Sequence, residues 1–275
     1  MSATSHLPRR GALLAAAVIA LLFASAAPAR ASYGWPLKPF HQQHAVRGFF
    51  GDPRIAGHDE AGGTFHFGID ISAANRTPVY ATRDGIASIH PLHHDTVIVS
   101  AGGVTHEYWH VVPAIRPGER VYAYRTIVGR VEAPWGHVHF SESSGGVYLN
   151  PLRPGALAPY RDTTTPIVSH ITLERDGTPA GTRVAGRIDF VAQAEDTLPL
   201  APPKPWNDVP VTPALVEWKL LPARALLSSR TWRVAADFRL FLPRAPFDSV
   251  YARWTRQNHA DQHRFGRYRF LLIHG

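Results

Sequence analysis

Sixteen histidines occur in 275 residues, and three clusters of them have spacings that can do chemistry. In His66-Phe67-Gly68-Ile69-Asp70 an imidazole and a carboxylate lie four positions apart. They can face one point if the chain between them bends, which Gly68 permits. In His137-Val138-His139-Phe140 the two histidines are two positions apart, so on a strand both address one side. Tyr108-Trp109-His110 sets a third imidazole at the end of an apolar run. Imidazole nitrogen and carboxylate oxygen are good zinc donors. Taken singly, each cluster has a plainer reading: a turn histidine beside a strand-capping Asp, a solvated strand face, a packed histidine. Taken together they compose. His66, Asp70 and one of the His137/His139 pair supply three ligands and leave a fourth position for water, as a catalytic zinc requires. His110 and the other member of the pair then stand beside the metal, able to take the water's proton and stabilise an oxyanion.

The elements that must position these groups read as strands. From Gly34 to Leu152, short β-branched and aromatic runs (77–81, 86–89, 96–100, 105–111, 121–131 and 138–140) alternate with turn pairs such as Asp84-Gly85 and Gly102-Gly103. No convincing amphipathic helix is found. Residues 153–166 read as a proline-containing linker. Residues 167–275 hold a second set of strand-like runs (167–173, 183–192, 214–221, 231–242 and 268–273) and a polyproline-like loop, 198–206. The first 31 residues are a targeting segment: Arg9 and Arg10, an apolar run from Gly11 through Ala27, then Ala29-Arg30-Ala31 as a small-x-small cleavage pattern. Nothing later is long and apolar enough to span a bilayer. The mature chain is therefore expected to be secreted or periplasmic, in the cell envelope, with no membrane anchor.

Composition narrows the possibilities. A hydrophobic fraction of 45% with 18% charged residues excludes a largely disordered chain. The absence of cysteine excludes disulfides, thiolate metal sites and a cysteine nucleophile. The net charge of +8 suits anionic polymers.

The order and context of the clusters resemble the lysostaphin-type zinc endopeptidases, the LytM-like family known also for its duplicated hybrid motif. Phe50-Gly51-Asp52-Pro53-Arg54 is similar to that family's Phe-Gly-x-Arg opening, with one residue added. His66-Phe67-Gly68-Ile69-Asp70-Ile71 resembles its His-x-Gly-Ile-Asp-Ile signature, Tyr108-Trp109-His110 its Tyr-x-His, and His137-Val138-His139-Phe140 its His-Leu-His-Phe. The resemblance covers about 34–152 and implies a LytM-like antiparallel β-sheet peptidase domain at 32–152. It implies zinc held by His66, Asp70 and His139, with His110 and His137 as the catalytic imidazoles. The substrate it implies is the peptide cross-links of peptidoglycan, and no nucleic acid. There are departures. The stretch from Gly129 to His137 is shorter than the family's polar loop and carries Trp135. Ser141 intervenes before Glu142, where the family has Glu directly.

The whole is therefore expected to be all-β: the peptidase domain followed by a β-sandwich, immunoglobulin-like accessory domain at 167–275. The aromatics of that second part, Trp206, Trp218, Trp232, Trp254, Tyr251, Tyr268 and Phe270, read as sandwich core ahead of a glycan or peptide platform. The leading expectation is a zinc metalloendopeptidase acting on peptidoglycan. The alternatives are a non-catalytic wall-binding or regulatory protein that keeps the fold, and a peptidase whose target is protein. Paired carboxylates for glycosidase action are not found.

Overall fold

The computed structural model describes residues 32–54, 63–221, 231–257 and 266–275. The expected signal segment, 1–31, lies outside the described residues. No described helix is long and apolar enough to cross a membrane.

The chain is all-β, and its strands pair antiparallel. The largest sheet has eight strands. Seven run in the order Val46–Gly48, Ile69–Ser72, His137–Ser144, Val104–Trp109, Val97–Ala101, Gly85–Ile89, Arg120–Val121, and Val147–Leu149 pairs with His137–Ser144 off that path. Alternation explains the sheet. On His137–Ser144 and its neighbours, Phe140, Tyr108, Ile69, Ile71 and Val138 are buried in the core, while the residues between them project to the other face. A smaller sheet joins Pro78–Tyr80, Ile127–Val131 and Val111–Pro113.

Two expected runs break, and each break matters. The run 105–111 ends at Trp109. His110 takes φ 61°, and the chain continues as Val111–Pro113 in the smaller sheet. The run 121–131 is two strands in different sheets, Arg120–Val121 and Ile127–Val131. The turn between them holds Tyr124 at φ 59°. Composition marks strand-forming residues but not the point at which the chain leaves one sheet for another.

In the second half, Thr178–Pro179, Ile167–Arg175, Asp189–Glu195 and Arg269–Ile273 make a four-stranded sheet, and Leu215–Trp218 pairs with Arg233–Asp237. Four of its aromatics bury into the same core as the first half, while Trp232 and Trp254, expected in a core, are exposed. Phe238, Tyr251, Tyr268 and Phe270 share one cluster with Ile69, Ile71, Val138 and Phe140. Phe238 stacks on Tyr251 at 6.1 Å and meets Phe65 at 5.8 Å. Polar bonds cross as well. Tyr251 OH donates to the Gly51 carbonyl at 2.9 Å, and Asn150 Nδ2 donates to the Phe238 carbonyl at 2.9 Å.

The chain from Tyr33 to Leu37 is part of this core. Trp35 and Leu37 are buried, Trp35 Nε1 donates to the Pro159 carbonyl at 2.9 Å, and Tyr33 OH donates to Glu142 Oε2 at 2.5 Å. Glu142 is buried and held from its other side by Arg153, whose Nη2 lies 2.7 Å from Oε1.

Because the buried aromatics are shared, Phe238→Ala should lower unfolding stability by about 3 kcal/mol in one transition reporting on both halves. Urea unfolding followed by tryptophan fluorescence and by far-UV circular dichroism checks this. Two separated transitions, with only one shifted, would show the halves to be energetically independent.

Candidate active site

The register of the central strand brings the candidate residues together. His139 pairs with Asp70 on one side and Trp109 on the other. Residues opposite one another in an antiparallel ladder project to the same face, so these three side chains meet on the face away from Phe140 and Tyr108. His137, two residues earlier, points the same way. His66 lies just before the strand Ile69–Ser72, and the positive φ of His110 lets the chain turn as it leaves Trp109.

One ligating atom each from His66, Asp70 and His139 lies within 4.8 Å of the others, an arrangement that could hold a metal ion. His66 Nε2 is 2.7 Å from His139 Nδ1 and 3.2 Å from Asp70 Oδ1, and His139 Nδ1 is 3.1 Å from the same oxygen. The partners behind each ligand set its orientation. His66 Nδ1 lies 2.8 Å from the Phe49 carbonyl, an acceptor, which fixes the proton on Nδ1 and turns the Nε2 lone pair inward. His139 Nε2 is 2.8 Å from Ser141 Oγ, so Nδ1 faces the site. Arg54 Nη2 donates to Asp70 Oδ2 at 2.9 Å and leaves Oδ1 to the histidines.

Two glycines make room. A Cβ at Gly48 would lie 2.3 Å from Asp70 Oδ2, and one at Gly68 would lie 2.5 Å from the Phe140 carbonyl and 2.7 Å from His139 Nε2. The need for Gly68 is therefore close approach of the facing strand. The bend expected from the sequence is not what requires it, since Gly68 is not among the positive-φ residues.

Protonation suits cation binding. Burial pushes the His139 imidazole down to about 3 and also lowers that of His66, to which Arg54 adds. Burial alone would raise the Asp70 carboxyl. The imidazoles around it, those of His66 and His137 foremost, hold it well below the usual range. Two neutral imidazoles and one carboxylate, with their lone pairs converging, fit the donor chemistry of a zinc site.

The two other imidazoles have different partners. His110 Nδ1 lies 3.2 Å from Asp95 Oδ2, so Nδ1 carries the proton and Nε2 the lone pair. Burial, with His137 and His139 adding to it, lowers the His110 imidazole to about 4. Its ring stacks on Trp135 at 4.3 Å and 26° and lies 4.8 Å from that of His137. His137 Nδ1 is 2.6 Å from Arg47 Nη2. The Trp135 carbonyl lies 2.9 Å from the same nitrogen, and Nε2 lies 3.4 Å from Asp70 Oδ1.

The structure thus gathers His66, Asp70, His110, His137 and His139 in one groove, walled by Phe65, Phe67, Trp109, Trp135 and Trp206. Sequence reasoning missed Arg47, Asp95 and the role of Ser141, and read Trp206 as core or platform. Asp95 was legible only as one acid in the run His93-His94-Asp95. The inserted Ser141 noted as a departure is the hydroxyl that orients His139.

No family model matches the chain, and no curated protein matches it by sequence. Among solved structures the chain is similar to Csd3 of Helicobacter pylori, at 19% identity and a TM-score of 0.37, over 48% of this chain and 36% of that one. It therefore spans about a third of that protein. It is also similar to the catalytic domain of the prophage-encoded protein EnpA of Enterococcus faecalis, at 24% identity and a TM-score of 0.33, over 42% and 95% of the two chains. A third similarity is to a zinc-containing peptidase from Vibrio cholerae, at 20% identity and a TM-score of 0.35, over 44% and 39%.

In metal-free protein the folded chain keeps His139 neutral down to about pH 3, whereas an unfolded imidazole takes a proton below its ordinary 6.5. Unfolded protein binds more protons across that window, so stability should fall as pH drops from 6.5 towards 3. Urea midpoints measured in chelator should decline over this range, with a shallower slope for His139→Gln. Equal slopes would contradict the assigned neutral state.

Proposed function

We propose that this chain is an exported zinc metalloendopeptidase that hydrolyses peptide bonds in bacterial peptidoglycan. The observation that carries this reading is the convergence of His66 Nε2, Asp70 Oδ1 and His139 Nδ1 in a groove that also holds the paired imidazoles of His110 and His137. A closed structural site would need no such pair. The motif resemblance over 34–152 and the amino-terminal targeting pattern support peptidoglycan as substrate and export as its route.

His66, Asp70 and His139 would hold the ion, which when bound supplies Lewis-acid polarisation and an acidified water. The residues divide the remaining work. His110 Nε2 accepts the proton of the attacking water, and Asp95 steadies the ring through Nδ1. His137, with a proton on Nε2, would donate to the carbonyl oxygen as it gains charge, its ring held from behind at Nδ1 by Arg47 and the Trp135 carbonyl. The proton taken by His110 then passes to the leaving amine. Trp135 packs over the His110 ring and shields it from bulk water.

Purified peptidoglycan should release soluble peptides in the presence of the zinc-loaded chain, and a chelator should stop the release. His139→Ala should lose stoichiometric zinc, read by elemental analysis. His110→Ala should keep the metal while turnover falls about a hundredfold or more. Stoichiometric wall binding with no peptide release would favour a non-catalytic wall-binding or regulatory role. Faster digestion of denatured protein than of wall would move the substrate to protein.

A further inference from the structure

Resting on that reading of the site, we propose that His90 is a positioning residue for the reaction: its ring nitrogen folds the loop 90–96 into a clamp that holds Asp95 against the imidazole of His110.

The loop joins the strands Gly85–Ile89 and Val97–Ala101, whose ladder ends at the pair Ile89 and Val97. His90 N donates to the Thr96 carbonyl at 2.9 Å and carries the ladder one step into the loop. Thr96 N donates to the His93 carbonyl at 3.0 Å and closes a turn on the far side. The near side is closed by a side chain. His90 Nδ1 lies 3.2 Å from the Leu92 amide and 3.1 Å from the His93 amide. A backbone N–H only donates, so Nδ1 accepts from both and the ring proton sits on Nε2. An Asx turn is built the same way, with a side-chain oxygen as the acceptor.

The folded loop grips three consecutive residues of the neighbouring chain. The rings of His90 and His93, 4.8 Å apart, pack on Trp109 at 5.4 and 4.9 Å. Asp95 Oδ2 lies 3.2 Å from His110 Nδ1. The Asp95 carbonyl accepts from the Val111 amide at 2.9 Å. The middle residue of the three stands at φ 61°, a left-handed conformation that persists only where its surroundings hold it. The loop supplies a hold before it, on it and after it.

The consequence for the chemistry runs through a proton. His110 can take the water's proton at Nε2 only while its own proton is kept on Nδ1, and Asp95 is the acceptor that keeps it there. Asp95 belongs to the loop and to no strand. The fold of the loop therefore decides where that carboxylate stands, and a shift of about 1 Å is enough to cost much of a positioned group's effect.

The test separates the ring nitrogen from the ring. His90→Asn keeps an acceptor the same number of bonds from the backbone and removes the ring. His90→Phe keeps a ring against Trp109 and removes the acceptor. Two readouts are taken on the full chain. One is peptide release from purified peptidoglycan by the zinc-loaded protein. The other, in chelator-treated protein at neutral pH, is the pair of nitrogen-15 shifts of the His110 ring, assigned by the signals missing from His110→Gln. Wild-type shifts should report a proton on Nδ1. In His90→Phe they should move towards a mixture of the two tautomers, and turnover should fall about tenfold with KM and zinc content unchanged. His90→Asn should match wild type in both readouts. In an Asp95→Ala background His90→Phe should slow turnover no further, because the two residues act along one line.

Wild-type turnover or wild-type shifts in His90→Phe would overturn the proposal. Altered shifts or slowed turnover in His90→Asn would overturn it whatever His90→Phe does, by showing that the ring and not its nitrogen matters. A full further loss in the Asp95→Ala background would show a route that bypasses Asp95, and would overturn it as well. If wild type released no peptide from the wall, the proposed activity would fall, and the shifts alone would decide whether His90 places Asp95 on His110.

Discussion

A buried carboxylate is costly unless it is compensated, and the site is arranged around compensating one. Asp70 lies in the middle of a sheet, 9% exposed. Its Oδ2 takes the Arg54 guanidinium, and its Oδ1 takes the approach of three imidazoles. Remove Arg54 and the oxygen that now faces it has no reason to turn away from the histidines. Add a Cβ at Gly48 and the carboxylate has no space at all. The short two-stranded pairing of Pro53–Arg54 with Thr64–Phe65 reads in this light as the device that brings Arg54 and His66 to the same carboxylate.

The strand His137–Ser144 joins this polar arrangement to the core. One face carries His137, His139 and Ser141, and the other carries Val138, Phe140 and Glu142, all of them buried. Strands on both sides fix its register, and a slip of one residue would exchange the two faces. The same ladder that orders the apolar core therefore sets the separation of the candidate ligands. At the far end of the strand, Glu142 meets Arg153 and Tyr33 and ties both the amino-terminal segment and the turn after Asn150 to it.

Much of this was legible from residue types and spacing. A His-x-His pair on a strand must share a face, and the His66–Asp70 interval is short enough for both to reach one point, so their convergence followed once a strand was granted. The all-β character followed from β-branched runs and turn pairs. What could not be read depends on contacts remote in sequence. Nothing in 198–206 says that Trp206 will lie against Arg47, and nothing near His110 says that Asp95, fifteen positions earlier, will set its tautomer. The break at His110 was hidden too, because Val111 continues the apolar pattern while belonging to another sheet. Of the second-half aromatics read as buried, Trp206, Tyr251, Tyr268 and Phe270 are, whereas Trp232 and Trp254 are exposed. The first-half partners of the buried ones, such as Gly51 and Phe65, carry no mark of it.

The nature of the contact between the halves bears on how such a chain evolves. Units that shuffle freely among proteins meet their neighbours through polar, forgiving surfaces. Here the meeting surface is built from packed rings, Phe65 against Phe238, Phe247 and Tyr251, with a tyrosine hydroxyl reaching a main-chain carbonyl two residues from the one that seats His66. Neither partner can be traded for a stranger without baring an oily face, so a substitution on one side of the seam constrains what the other side tolerates.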